Sequence, residues 1–163
     1  MPRAVVCREL GAPEKLRVET ACAMPLAPGK VRVAVRAAGI NFPDILMVSG
    51  EYQFKPDLPF TPGMEAAGDV IEVGKDARGL KVKDRVIVKL RHGGYADEVA
   101  VTPEHLVPLP STFDYAEGAT FLAAHGTAYH VAHLVGERAH RAGQHRLVGD
   151  HVVGRARVNL GDR

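Results

Sequence analysis

The chain has 163 residues, 46% of them apolar and 25% charged, enough to bury the core of one ordinary domain but barely two. That balance excludes disorder throughout, and a net charge of +2 excludes a strongly basic nucleic-acid binder. Two cysteines are too few for a disulfide-stapled secreted scaffold, and no run approaches the roughly 20 apolar residues of a membrane helix. With no signal-peptide core after Met1, a reduced cytoplasmic compartment and no membrane partner are expected.

In chain order, residues 4–7 and 16–19 are short strand candidates. Pro28 and Gly29 mark a turn. Over 30–36, Val31, Val33 and Val35 then alternate with charged or small residues, as in a half-buried strand. Asn41 as cap and Pro43 in the first turn start a helix over 41–48, which Ser49 and Gly50 stop. Further strands are predicted at 70–73, ending at Gly74, at 84–89, and at 95–101 after Gly93 and Gly94. Asp114, with Glu117 three residues on, opens a second helix. Gly126 and Thr127 are expected to break it before it resumes over 128–131. The fold class is therefore mainly β with short helices, a barrel or sandwich rather than a doubly wound sheet.

Composition changes near the C-terminus. Residues 136–163 are rich in Arg, His and Gly and contain no lysine or aromatic residue. The expected organisation is a domain over 1–131 and a basic, divergent, flexible tail over 132–163. Such a tail could dock on the domain or meet an anionic partner.

The central segment carries a resemblance. Ala38-Gly39-Ile40-Asn41-Phe42-Pro43-Asp44 is followed by Gly50-Glu51-Tyr52, then by Pro59-Phe60-Thr61-Pro62-Gly63-Met64-Glu65-Ala66-Ala67-Gly68. Residues 79–86, Gly93-Gly94-Tyr95-Ala96 and Gly126-Thr127-Ala128-Tyr129 follow in order. Over about residues 3–131 this resembles the medium-chain dehydrogenase/reductase superfamily, and within it the zinc-free NADPH:quinone reductases. The resemblance implies a GroES-like, alcohol dehydrogenase-like catalytic domain, a partly open β-barrel. In the family a Rossmann domain follows and binds the dinucleotide.

It also implies hydride transfer from NADPH to a quinone or activated enone, with Asn41, Tyr52 and Thr127 near nicotinamide and substrate. Asn41 and Tyr52 are the candidate catalytic residues, and Asn41 and Thr127 the candidate cofactor contacts. Zinc-dependent relatives carry Cys at the position of Asn41 and His at that of Met64, so no metal is expected there. Their four-cysteine loop is replaced by Lys89, Leu90, Arg91 and His92. His125, His130 and His133 lack a completing carboxylate or cysteine at familiar spacing and read as ordinary surface or core histidines. Glu65, in an apolar neighbourhood, needs a partner if buried. Cys7 and Cys22 read as buried or idle thiols.

No two glycines stand two apart anywhere in the sequence, so the G-x-G-x-x-G phosphate turn of a Rossmann unit is absent. The Rossmann domain is thus expected to be absent or truncated, by a departure from the ancestral reading frame near residues 131–140. A non-enzymatic binding module and a truncated inactive product are the alternatives. The second alternative would expose an apolar interface and could form a homo-oligomer.

Overall fold

The computed structural model describes residues 1–21 and 24–141. Contacts divide the chain into two units, Met1–Ala123 and Ala124–Arg163. Cys22 and the tail beyond Arg141 lie outside the described residues. The first unit holds β1 (Arg3–Val6), β2 (Arg17–Thr20), β3 (Val31–Gly39), α1 (Phe42–Ser49), β4 (Glu65–Val73), β5 (Arg85–Lys89), β6 (Glu98–Val101), β7 (Leu106–Pro108) and α2 (Tyr115–Phe121).

β1 and β2 pair as a two-stranded sheet. The other strands form an open antiparallel sheet in the order β6-β3-β4-β5-β7. This is the mainly β, partly open architecture expected. β1 and the residue after it are also tied to loop segments outside the five-stranded sheet. Val5 N–H donates to Tyr95 O at 2.8 Å, and Cys7 pairs reciprocally with Phe60.

The core is built of β-branched residues. Val31, Val33, Val70, Val86, Val88, Val99 and Val101 meet on one face of the sheet with Ala66. Burying each valine contributes roughly 1.5 kcal/mol or more. On β5, Val86, Ile87 and Val88 are all buried, which departs from the alternation of a one-sided strand. α2 covers the opposite face. A Cβ at Gly118 would stand 3.4 Å from Ile87 Cγ1 and would overlap the Leu109 side chain. α2 opens as its sequence predicts. Asp114 Oδ1 accepts Glu117 N–H at 2.7 Å, and Glu117 Oε2 accepts Asp114 N–H at 2.8 Å.

Tyr115 ties α2 to the sheet. Its hydroxyl donates to Asp69 Oδ1 on β4, Arg36 reaches Asp69 Oδ2 at 2.8 Å, and the Arg85 guanidinium lies over the Tyr115 ring. Burial alone would raise the Asp69 pKa. The Tyr115 and Arg36 hydrogen bonds and both guanidinium charges outweigh it and hold the carboxyl below its ordinary value. A depressed folded pKa stabilises the fold above the unfolded value near 3.9, and that stability is lost as pH falls through the folded value. Asp69→Asn is therefore expected to cost about 1 kcal/mol at neutral pH. In urea unfolding at stepped pH, the gap to wild type should close once both states bind the proton.

Three elements differ from expectation. β4 begins at Glu65, five residues before the predicted strand, because Glu65-Ala66-Ala67-Gly68 carries little strand propensity yet is buried. β7 went unpredicted. Gly126 does not break the helix: residues Leu122–Gly126 form a π-turn and the helical chain continues. In the second unit, α3 (Thr127–Arg141) runs past residue 131 and through Gly136, a glycine cost of about 1 kcal/mol that helix-forming neighbours can carry.

Candidate active site

The end of β3 and the start of α1 present Asn41. Gly39 is buried where β3 meets α2, and a Cβ there would overlap the Ala119 carbonyl oxygen. Asn41 takes extended backbone angles at the N-cap of α1, and Gly50 closes the helix in the left-handed region at φ 81°. Ile40 and Phe42, on either side of Asn41, are 81% and 71% exposed. Asn41 itself is half-buried, so a partly sheltered polar residue lies in sequence between two exposed apolar ones.

Two buried carboxyl groups hold this corner. Asp44 is 3% exposed and gathers three donors. Its Oδ2 accepts Asn41 N–H and the Tyr95 hydroxyl, each at 2.9 Å, and its Oδ1 accepts Gly63 N–H at 3.1 Å. Gly63 sits at φ 104°, where a side chain is disfavoured, and a Cβ would stand 2.6 Å from the Tyr95 ring. Burial first, then the Asp44 charge and the shared hydrogen bond, push the Tyr95 pKa well above its ordinary value. The phenol therefore stays a neutral donor throughout the physiological range.

Glu65 is 2% exposed. Its Oε1 accepts from Asn41 Nδ2 at 3.4 Å, and its Oε2 accepts Ala123 N–H at 2.9 Å. The partner that its burial demanded is thus present. The second N–H of the Asn41 amide makes no hydrogen bond among the described residues.

Tyr52 follows α1, its N–H donating to Leu46 O at 3.0 Å. Its ring packs with Phe54 and Met64 against Cys7, Met47, Val48 and Phe60. No hydrogen bond or ring contact joins Tyr52 to Asn41 among the described residues, and its hydroxyl has no partner there. Thr127 is the first residue of α3, exposed, in the second unit. The structure therefore joins Asn41 to Asp44 and Glu65, and does not draw Tyr52 into that cluster. The role of Asp44 was missed, although an acid three residues past a cap is its signal.

Among the described residues, no three His, Cys, Asp or Glu side chains group as a metal could require. Cys7 is buried, donates to Glu9 O at 3.2 Å, and has its pKa raised, chiefly by burial, which disfavours the thiolate. No described helix is long and apolar enough to cross a membrane.

Residues 27–111 match the alcohol dehydrogenase GroES-like domain, more than half of the chain. The chain belongs to this family. It is 42% identical over 132 residues to a quinone oxidoreductase-like protein 2 homologue of Nematostella vectensis, covering 78% of this chain and 35% of that protein. Among solved structures, a human synaptic vesicle membrane protein VAT-1 homologue-like protein superposes with a TM-score of 0.75 at 30% identity. That match covers 79% of this chain and 42% of the other. The quinone oxidoreductase of Thermus thermophilus, solved also with NADPH, gives 0.69 at 33% identity, covering 85% and 41%. The GroES-like chain thus spans about a third to two fifths of the proteins it resembles. Two of these three carry quinone oxidoreductase names, and this chain is of an oxidoreductase lineage.

Proposed function

We propose that this GroES-like chain is the substrate-facing domain of a zinc-independent oxidoreductase passing hydride from NADPH to a quinone or activated enone. The observation carrying this reading is the Asn41 side-chain amide held by Glu65, on a residue whose backbone N–H donates to Asp44. Its second N–H, without a hydrogen bond among the described residues, suits the carboxamide of a nicotinamide ring or a substrate carbonyl. The residues fit the nicotinamide end of the cofactor, whereas the sequence offers no G-x-G-x-x-G turn for the pyrophosphate.

When bound, NADPH supplies the hydride. Asn41 orients and hydrogen-bonds the ring it faces. Tyr52, whose hydroxyl has no partner among the described residues, would donate to the acceptor oxygen, and the family resemblance alone nominates Thr127 as a cofactor contact. An amide at Asn41 and a thioether at Met64 are poor zinc ligands, which supports a route without a Lewis acid. Quinones and enones accept hydride readily enough for positioning and weak hydrogen bonding to suffice.

The test is oxidation of NADPH by a simple quinone, followed by absorbance. Saturable turnover is expected, falling about tenfold or more in Asn41→Ala and less in Tyr52→Phe. A folded chain with neither binding nor turnover would favour a binding module instead, with the Ile40 and Phe42 surface as its contact.

A further inference from the structure

We infer that Glu65 is a positioning residue, whose buried carboxyl group locks the Asn41 side chain to the last turn of α2 and creates the π-turn there. The inference rests in part on the reading of Asn41 above. It begins from an irregularity in the helix. In an uninterrupted α-helix the N–H of Ala123 would donate four residues back, to Ala119 O. It donates to Glu65 Oε2 at 2.9 Å, and the π-turn Leu122–Gly126 includes this residue. A side chain inserted into the helical ladder is a recognised cause of such a distortion, and π-turns concentrate at functional sites.

The other oxygen of the same group faces Asn41 Nδ2, 3.4 Å away. One buried group therefore joins residues far apart in sequence. Gly39 makes the geometry feasible: a Cβ at this position would lie 3.1 Å from Glu65 Oε1 and would overlap the Ala119 carbonyl. β3, β4 and α2 can meet this closely only with glycine there. The consequence for Asn41 is orientational. With one N–H committed to Glu65, the amide plane is restrained and the second N–H is aimed rather than free to rotate. Glu65 thus acts through Asn41 and not on the substrate.

Backbone and side-chain amide NMR of the chain tests this without needing turnover. In Glu65→Ala the Ala123 amide should exchange with solvent about tenfold faster, and the two Asn41 side-chain protons should move towards each other in chemical shift. Glu65→Gln, nearly isosteric, guards against a fold defect. It keeps one carbonyl acceptor and should restore one of the two signatures but not both. Asn41→Ala should leave the Ala123 amide protected. Unchanged Ala123 exchange and unchanged Asn41 shifts in a folded Glu65→Gln and Glu65→Ala pair would overturn the inference.

Turnover adds a readout that a purely structural role would not move. Glu65→Ala should lower kcat about tenfold with KM little changed, and Asn41→Ala/Glu65→Ala should be no slower than Asn41→Ala alone. A double variant slower by the full product would overturn action through Asn41. Absence of turnover in the wild-type chain would overturn the functional reading instead, while the amide signals would still decide the role of Glu65.

Discussion

Replacing Asp44 with alanine is expected to destabilise the first unit by about 3–5 kcal/mol, a large part of the 5–15 kcal/mol typical of a domain. Three donors converge on this side chain: the N–H groups of Asn41 and Gly63 and the hydroxyl of Tyr95. All three would lose their acceptor in a place that water reaches poorly, since Asp44 is 3% exposed. Asp44→Asn offers one carbonyl oxygen for three donors and should recover only part of the loss. Tyr95→Phe removes a single donor and should cost about 1 kcal/mol. Urea unfolding of the three variants checks the order. Equal effects from Tyr95→Phe and Asp44→Ala would show that the backbone donors do not depend on Asp44.

Gly68→Ala is the second large effect, and its cause is steric. Gly68 pairs with Val35 in the middle of the β3–β4 ladder, beside the irregularity between Val35 and Ala37. A methyl group there would overlap the Ala34 carbonyl oxygen and press 3.0 Å from Val33 Cγ1. The obstacle is backbone in a central strand, so no rotamer relieves it, and β4 must separate from β3. A loss of about 3 kcal/mol or more is expected, at the upper end for overpacking. The same change at Gly79, where a Cβ meets nothing within 4 Å but φ is +82°, should cost about 1 kcal/mol from backbone strain alone. Thermal unfolding of both variants separates the steric effect from the conformational one.

These two residues also show which parts of the molecule were legible. β3 was legible because Val31 and Val33 repeat with the period of a strand, and α2 because Asp114 and Glu117 form a local capping box. The start of β4 was not. Glu65-Ala66-Ala67-Gly68 has neither β-branched residues nor alternation, and its strand character comes from neighbours on both sides. Gly126 misled for a related reason: the carboxyl that accepts the Ala123 N–H in this turn comes from Glu65, remote in sequence.

At the site, Asn41 stood out through its motif and Glu65 through the need for a partner in an apolar setting. Asp44 lay within that same motif, yet its role depends on Gly63 and Tyr95, which only the folded chain brings to it. Tyr52 came from resemblance, and in the fold its ring serves the packing around Met47 and Phe60.

The proposed function requires that the Asn41 side-chain amide receive the nicotinamide end of NADPH. Titrating the labelled chain with NADPH, while following the Asn41 side-chain amide by NMR, tests it most directly. A saturable shift of the Asn41 protons is expected, larger than that of amides elsewhere in the sheet. Reduced nicotinamide mononucleotide should reproduce the shift. Asn41 resonances that stay in place at saturating NADPH, in a chain whose other amides show the native fold, would contradict it.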